Sequence, residues 1–213
     1  MRYKAVIFDL DDTLVKTYVI KWAHHKAVAK RFYNIDLTDD VLAKHWGMPM
    51  EPMMAIFYQN SDTPENMMKA NLSIEHEFLK EIHTDSLAVV TSLIEQNIQV
   101  GIITSTTEKV ARADLEREGF PVKKLFIVQG GDSIPAHKPD PAVFAPAIRI
   151  LANKGIEPAE TLYVGDALMD YFAARDAGIN FLGVTTGIID HTAFAAEGAN
   201  AFPTLTRLLQ EIS

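Results

Sequence analysis

The stretch Val6-Ile7-Phe8-Asp9-Leu10-Asp11-Asp12-Thr13-Leu14 ends an apolar run in three carboxylates within four positions. Ionised carboxylates gathered at the end of a buried strand repel one another and lose hydration, so another group must compensate their charge. A hard divalent cation is one such group. In the alternative interpretation, Asp11 and Asp12 only form a turn, which Asp9 caps. The stretch by itself leaves both interpretations open.

Length and composition limit the classes of protein that fit this sequence. A chain of 213 residues, 48% of them hydrophobic, suits one folded domain or a domain with a smaller insert. With 20 basic and 28 acidic side chains, the formal charge is −8, which disfavours nucleic acid or an anionic membrane as the partner. A small anionic substrate remains compatible, because a site can be locally positive.

The sequence also predicts where the protein resides. It contains no cysteine, which fits a reducing compartment and excludes disulfides and thiolate metal sites. The apolar run before Asp9 is too short for a signal peptide, and no stretch is long enough to span a membrane. We therefore expect a cytoplasmic protein that does not bind membranes. The sequence does not distinguish a monomer from a homodimer.

Strand and helix patterns alternate through most of the chain. Short apolar runs predict strands at 4–8, 100–103, 125–128, 162–164 and 181–184, and helices are predicted between and after them at 87–96, 108–118, 141–154, 171–177 and 205–212. This alternation predicts an α/β fold with a Rossmann-like parallel sheet covered on both faces. Residues 18–82 interrupt the pattern and are expected to be all-helical, without a strand. We interpret this block as an inserted helical domain.

Polar residues follow several of the predicted strands at the point where each strand ends. Asp9 and Asp11 follow the first, Thr104 and Ser105 the second, and Asp166 a later one, with Asp170 four positions on. Lys138 lies in the loop after the strand at 125–128. In open α/β sheets, ligands bind beyond the carboxyl ends of the strands. We therefore expect these side chains to meet at one edge of the sheet.

Carboxylates, a hydroxyl and an ammonium group together form the set that a phosphate ester requires. The ester is anionic and repels nucleophiles, so cations must neutralise it before a nucleophile can attack. Mg²⁺ prefers oxygen ligands and takes only a few of them from the protein. A carboxylate nucleophile divides the high barrier to hydrolysis into two lower ones.

Four motifs in this order resemble those of the haloacid dehalogenase superfamily. The match is closest to its phosphoglycolate phosphatase-like members, which carry a helical (C1-type) cap inserted after the first strand. The motifs read Asp9-Leu10-Asp11-Asp12-Thr13, Gly101-Ile102-Ile103-Thr104, Lys138-Pro139-Asp140-Pro141 and Val164-Gly165-Asp166-Ala167-Leu168-Met169-Asp170. The resemblance implies a core at 1–15 and 86–213 and a cap at 16–85.

The resemblance also implies a Mg²⁺-dependent phosphatase of a small phosphorylated metabolite. Asp9 would attack phosphorus and form an aspartyl-phosphate. Asp11 would protonate the leaving alcohol and then activate water. Mg²⁺ would be held by Asp9, the backbone carbonyl of Asp11, and Asp166. Asp170 would complete the acidic site directly, through water, or by holding Lys138.

Other residues take supporting roles by the same resemblance. Thr104 and Lys138 would bind phosphate oxygens, helped by backbone amides near Leu10 and Ser105, and Thr13 would support the loop. Asp12 is expected to be a solvent-exposed turn residue. The adjacent histidines His24 and His25 are expected to face solvent or serve a hinge. Two methionines of the cap, Met48 and Met50, are candidates for substrate contact, because a cap loop must face the site in the core.

Two other functions share this fold. Sugar phosphomutases of the family carry Gly-x-x-Arg in the cap, whereas Met50 stands where the Arg would follow Gly47. A non-catalytic regulatory protein would lack catalytic residues, and all the motif residues are present. Both contrasts favour the phosphatase, with the β-phosphoglucomutase-like mutase and the regulatory protein as the alternatives.

Overall fold

A parallel sheet of six strands forms the centre of the fold. The computed structural model describes residues 3–46, 48 and 50–212. Its strands are β1 (Ala5–Phe8), β2 (Val15–Lys16), β3 (Glu81–Ile82), β4 (Gln99–Ile103), β5 (Ile127–Gln129), β6 (Thr161–Gly165), β7 (Asn180–Val184) and β8 (Ala201–Phe202). The sheet has the order β5-β4-β1-β6-β7-β8, and every pair in it is parallel. The predicted α/β class is confirmed.

Helices complete the fold. They are α1 (Tyr18–Tyr33), α2 (Asp39–His45), α3 (Met50–Phe57), α4 (Pro64–Ser73), α5 (Ser86–Glu95), α6 (Glu108–Arg117), α7 (Ala145–Ala152), α8 (Leu168–Asp176), α9 (His191–Ala196) and α10 (Thr206–Ile212). Short 3-10 helices lie at Glu75–Glu77, Val122–Lys124, Pro141–Phe144 and Pro158–Glu160. No described helix combines the length and the apolar character needed to cross a bilayer.

The first strand is buried on both faces, as its uninterrupted apolar sequence predicts. Val6 and Phe8 point into one hydrophobic cluster, which is covered by α5 and α6. Ala5 and Ile7 point into the opposite cluster, which is covered by α7 and α8. Because side chains alternate along a strand, four apolar residues in a row require such two-sided cover. The strand is therefore central, and its carboxyl end lies in the middle of the sheet edge.

The chain divides into two compact units. One contains Met1–Lys16 and Glu81–Ser213, and the other contains Thr17–Lys80. The predicted insert, 16–85, encloses the second unit. Within the first unit, β2 and β3 pair antiparallel, with Val15 opposite Ile82. The chain thus leaves the sheet-bearing unit from one strand of this ribbon and returns through the other.

The expectation that residues 18–82 are all-helical is wrong at the end of this range. Glu81 and Ile82 form β3, and α4 stops at Ser73 instead of continuing to Ile82. The Ser73 hydroxyl donates to the Ala70 carbonyl at 2.7 Å, a local bond that competes with helix propagation. A strand of two residues has no detectable period, so only its partner strand defines it. Within the same range, the sequence also predicts that one helix ends near Gly47 and that another begins at Pro49 or Pro52. Gly47 and Pro49 lie outside the described residues.

Two short elements near the C-terminus were not predicted. These are α9 and β8, which follow β7 and add a strand at the edge of the sheet. The helix begins where the Asp190 carboxylate accepts from the Ala193 amide at 2.9 Å. Both elements are too short to show a clear hydrophobic period.

The expected solvent or hinge role of His24 and His25 is wrong, because both side chains are buried. His24 Nε2 lies 2.9 Å from the Asn71 carbonyl oxygen, and His25 Nδ1 lies 2.8 Å from the Tyr58 hydroxyl. Helix α1 is covered on two sides, so adjacent residues that point in different directions both find a partner. The sequence shows the different directions but not the second covered side.

The buried network fixes the protonation state of His25. Asn71 Nδ2, which can only donate, points at the Tyr58 hydroxyl at 2.7 Å and at His25 Nδ1 at 3.3 Å. The Tyr58 proton is therefore directed to His25 Nδ1, which must accept it as part of a neutral ring. Burial, reinforced by the positive charge available to His24 and Lys21, lowers the pKa of His25 to about 3.

We predict that acid destabilises the helical unit through His25. A histidine whose pKa is lowered on folding stabilises the protein above its unfolded pKa, and that contribution is lost as the pH falls from about 6.5 towards 3. Between pH 7 and pH 5, this residue should cost about 2 kcal/mol of unfolding free energy. His25→Gln should be less stable at pH 7 but should lose about 2 kcal/mol less on acidification.

Urea unfolding at the two pH values, followed by tryptophan fluorescence, measures this effect. Trp22 and Trp46, the only tryptophans in the sequence, both belong to the helical unit. His76→Gln is the matched control, because His76 is exposed in the same unit. Equal pH dependence in His25→Gln and the parent protein would show that His25 accepts a proton without unfolding.

Candidate active site

Three neighbouring strands bring the motif residues to one edge of the sheet. Asp9 follows β1, and its amide donates to the Val164 carbonyl of β6 at 2.8 Å. Thr104 follows β4, and Asp166 follows β6. Because β1 lies between β4 and β6 and all three strands are parallel, the carboxyl ends of these strands are adjacent. The predicted meeting of these residues therefore follows from the sheet order.

Lys138 lies at the centre of the site. Its Nζ donates to Asp9 Oδ1 at 2.7 Å and to Asp170 Oδ1 at 2.6 Å. The side chains of all three residues are nearly inaccessible to solvent. A third contact joins Lys138 Nζ to the Tyr163 hydroxyl at 3.2 Å. The loop after β5 thus places the lysine side chain in a buried acidic environment.

Tyr163 is a site residue that the sequence reasoning missed. It points from β6 into the site and is fully buried. Its hydroxyl lies 3.1 Å from the Ile103 carbonyl and 3.2 Å from Asp170 Oδ1. A polar residue in the otherwise apolar run Leu162-Tyr163-Val164 was the available signal, because a buried hydroxyl needs a partner.

Burial and neighbouring charges together shift the pKa values of the ionisable groups in the site. Burial raises the pKa of Asp9 to about 7, although the Lys138 ammonium opposes this shift. Burial also raises the pKa of Asp166 well above its usual value, reinforced by the negative charges of Asp9 and Asp170. Burial acts to lower the pKa of Lys138, but the carboxylates of Asp170 and Asp9 more than offset it and hold the pKa well above its usual value. The lysine is therefore charged.

The carboxylates could hold a metal ion. One oxygen from each of Asp9, Asp166 and Asp170 lies within 4.8 Å of the other two. If all three are ionised, Lys138 compensates only one of the three negative charges. Burial disfavours the charged forms and, with the neighbouring carboxylates, raises the pKa values of Asp9 and Asp166. Oxygen donors with excess negative charge suit a hard divalent cation such as Mg²⁺.

Asp170 serves two neighbours at once. Its Oδ1 accepts from Lys138, and its Oδ2 accepts from the Ala167 amide at 3.1 Å at the start of α8. The first contact is one of the three arrangements expected for this residue. The second is a contact that an acidic residue in the first turn of a helix commonly makes with the helix start. Both occur because a carboxylate has two oxygens.

Asp11 lies on the β4 side of the site, where hydroxyl groups surround it. Thr106 Oγ1 donates to Asp11 Oδ2 at 2.6 Å, and Thr104 Oγ1 lies 3.4 Å from the same oxygen. The Thr106 amide donates to Thr104 Oγ1 at 3.1 Å. Thr106 was not singled out from the sequence, since the second motif ends at Thr104 and only a backbone amide near Ser105 was expected to assist it. Thr104 is buried and Ser105 is exposed.

The expected exposure of Asp12 is wrong, since only 7% of its surface is accessible. Its backbone has φ 57°, in the left-handed region that favours Gly, which makes the tight turn after β1 possible. The Asp12 amide donates to the Val15 carbonyl, and the Asp12 carbonyl accepts from the Thr186 hydroxyl. The loop after β7 therefore covers the turn, a long-range contact that local sequence does not show.

The loop after β7 also lies close to the Asp166 carboxylate. Gly187 follows Thr186, and a Cβ atom built on it would lie 1.9 Å from Asp166 Oδ2. From the other side, the Thr13 hydroxyl donates to Asp166 Oδ1 at 3.3 Å. Both oxygens of this carboxylate thus have a neighbour that limits their position. Thr13 contacts a site residue in addition to lying in the turn after β1.

The predicted site residues therefore form two groups. Lys138 joins Asp9 to Asp170, with Asp166 nearby, and Asp11 lies with Thr104. Met48 and Met50 belong to the helical unit and are 37% and 45% exposed. Their contact with a substrate stays a prediction.

Known proteins share this sequence pattern and this fold. A Clostridium perfringens protein provisionally named pyrophosphatase PpaX is 28% identical over 184 residues, which cover 85% of this chain and 83% of the relative. A phosphoglycolate phosphatase of Rhodospirillum rubrum is 29% identical over 194 residues, with coverages of 83% and 77%. The crystal structure of a Thermotoga maritima protein, provisionally described as a β-phosphoglucomutase, superposes with a TM-score of 0.83 at 24% identity and covers 99% of this chain and 100% of its own. That likeness shows the fold alone.

The family model described as haloacid dehalogenase-like hydrolase matches residues 6–184. This range contains all four motifs and every predicted site residue. The resemblance that the motifs indicated is confirmed. The chain is a hydrolase that belongs to the haloacid dehalogenase-like family.

Proposed function

We propose that this protein is a Mg²⁺-dependent phosphatase that hydrolyses the phosphate monoester of a small metabolite. The observation that carries the proposal is the buried ion pair between Lys138 and Asp9 at the carboxyl end of the central strand. The adjacent ammonium favours the ionised form of the Asp9 carboxylate, which can act as a nucleophile, and it can also bind an anionic phosphoryl group. The names of the two relatives reported above support a phosphoryl substrate.

In the proposed mechanism, Asp9 attacks phosphorus and forms an aspartyl-phosphate while the leaving oxygen departs. Asp11 gives its proton to that oxygen and later removes a proton from the water that hydrolyses the intermediate. Lys138 and the Thr104 hydroxyl bind phosphoryl oxygens, with backbone amides near Leu10 and Ser105 as further donors. Splitting the reaction into two transfers lowers each barrier, and the same Asp11 serves as acid and then as base.

The donor set fits Mg²⁺, which would be held by Asp9, the Asp11 carbonyl, Asp166 and Asp170. When bound, the ion supplies positive charge that offsets both the acidic cluster and the substrate phosphate. Asp170 also anchors Lys138, so this carboxylate would link the metal site to the phosphate site. The helical unit 17–80 is proposed to act as the cap that excludes bulk water during phosphoryl transfer.

The first prediction from this proposed function concerns the nucleophile and the metal. Turnover of 4-nitrophenyl phosphate should require added Mg²⁺ and should be lost when EDTA removes the ion. Asp9→Asn should lower kcat at least about a thousandfold, because an amide cannot replace the carboxylate in covalent catalysis. Asp12→Asn, which changes the same turn without touching the proposed chemistry, should keep most of the activity. Full activity in Asp9→Asn would exclude this residue as the nucleophile.

The second prediction concerns the position of Asp166. In Gly187→Ala, the new methyl group would collide with Asp166 Oδ2, so the carboxylate must move away from the acidic cluster. We expect Mg²⁺ affinity, measured by isothermal titration calorimetry, to fall about tenfold or more. The substitution should not introduce backbone strain, because Gly187 is not among the described residues with positive φ.

Gly198→Ala provides the matched control. Gly198 has φ +78°, and nothing lies within 4 Å of a Cβ built there. Its substitution should lower stability by about 1 kcal/mol through backbone strain while leaving Mg²⁺ affinity unchanged. Unchanged affinity in Gly187→Ala would mean that the loop moves and Asp166 does not.

The third prediction concerns the substrate. A panel containing phosphoglycolate, pyrophosphate, nucleoside monophosphates and sugar phosphates should show release of inorganic phosphate, with the highest kcat/KM on a small phosphorylated metabolite. The panel should include a hexose 1-phosphate, because its products separate the two reactions of this fold. Free phosphate supports the phosphatase, whereas hexose 6-phosphate would make the protein a mutase. No reaction with any member of the panel would favour a non-catalytic role.

A further inference from the structure

We infer that Thr106 is a positioning residue for Asp11, whose carboxyl group it orients for proton transfer. The inference rests on the proposed function, in which Asp11 exchanges protons with the leaving group and with water. It adds a residue outside the four motifs to the machinery of this site.

The contact between the two side chains is short and well defined. Thr106 Oγ1 donates to Asp11 Oδ2 at 2.6 Å, at the short end of the range for a hydrogen bond between a hydroxyl and an oxygen acceptor. Thr104, which carries the second motif, is 3.4 Å from the same oxygen and interacts more weakly. The orientation of Asp11 therefore depends on Thr106 more than on the motif threonine.

Thr106 is itself held in place through its backbone. Its amide donates to Thr104 Oγ1 at 3.1 Å, and its carbonyl accepts from the Gly131 amide at 2.9 Å. The contact with Gly131 is a direct approach of two backbones, because a Cβ on Gly131 would lie 2.4 Å from the Ser105 carbonyl oxygen. The loop after β5 thus supports the loop after β4. The backbone that carries the Thr106 hydroxyl is therefore held in a fixed position. Such support lets a side chain act as a preorganised donor.

The hydrogen bond from Thr106 to Asp11 becomes stronger as the reaction proceeds. A bond forms between an Asp9 oxygen and phosphorus while the bond from phosphorus to the leaving oxygen breaks. The electron pair of the broken bond goes to the leaving oxygen, which takes the proton of the Asp11 carboxyl group. Asp11 then becomes a carboxylate, and the hydrogen bond from Thr106 strengthens because its acceptor gains charge. An interaction that strengthens towards the transition state accelerates the reaction.

This role predicts a dependence on the leaving group. An aryl phosphate such as 4-nitrophenyl phosphate releases a stable anion and needs little help from an acid. An alkyl phosphate releases an unstable alkoxide and needs the proton of Asp11. A residue that binds phosphate, or one that only maintains the loop, would affect both substrates alike. The two substrate classes therefore separate a positioning role from those alternatives.

The experiment compares kcat/KM for 4-nitrophenyl phosphate with kcat/KM for the alkyl phosphate that wild type hydrolyses best in the panel. This ratio reports the steps up to alcohol release, so later hydrolysis of the aspartyl-phosphate does not obscure it. The variants are Thr106→Val, which keeps the shape but removes the hydroxyl, and Thr106→Ser, which restores it. Thr107→Val is the matched control, because this exposed neighbour precedes α6 without a side-chain bond to the helix.

We expect Thr106→Val to lower kcat/KM on the alkyl phosphate about tenfold or more and on the aryl phosphate by less than about twofold. Thr106→Ser should recover most of the loss, and Thr107→Val should match wild type on both substrates. Equal losses on the two substrates, or no loss on either, would overturn the inference.

A second measurement tests the contact without turnover. In a double-mutant cycle of thermal unfolding, Thr106→Val and Asp11→Ala should shift Tm by amounts that do not add, because each change removes the same hydrogen bond. Additive shifts would contradict the contact and with it the inference. If wild type hydrolyses neither ester while the shifts are non-additive, the proposed function fails and the contact alone remains.

Discussion

The site depends on one buried ammonium group shared between two carboxylates. Lys138 reaches Asp9 and Asp170 at hydrogen-bond distance in a region from which solvent is nearly excluded. Removing water from three such charges is costly, and the mutual attraction of the charges offsets this cost only when the geometry is good. Asp9 follows β1, and Asp170 lies in the first turn of α8, the helix that follows β6. Strands β1 and β6 are neighbours in the sheet. Parallel pairing of the central strands is therefore what allows the ion pairs to form.

The remaining negative charge explains why the edge of this sheet suits phosphoryl chemistry. Asp166 belongs to the same cluster, and burial, reinforced by the negative charges of Asp9 and Asp170, raises its pKa well above the usual value. A divalent cation would neutralise the excess negative charge of the acidic cluster, and the site would then present cations to an anionic ester. The charge that opposes folding at this edge is thus the charge that favours ligand binding. Strain of this kind is common at functional sites, where local rules of stability are broken.

Much of the fold and of the site could be predicted from the sequence, because the information was local. Apolar runs that end in polar residues located the central strands, and the four motifs located Asp9, Lys138 and Asp166 at one edge. What escaped prediction depends on contacts between distant segments. Asp12 is buried by a loop from the other end of the chain, and His25 is buried by a second helix. Tyr163 and Thr106 reach the site only through the arrangement of neighbouring strands and loops.

The environments of Asp9 and Asp11 differ in a way that matches two chemical tasks. Asp9 contacts a permanent cation, which favours the ionised carboxylate that a nucleophile requires. Asp11 contacts the hydroxyl of Thr106, which can donate to a carboxylate or adapt to a protonated carboxyl group by rotating its proton. A residue that acts first as an acid and then as a base must be tolerated in both states, and a hydroxyl partner permits this where a lysine would not. Two residues separated by one position in the sequence are thus suited to different roles by neighbours that lie in the loops after two different strands, β4 and β5.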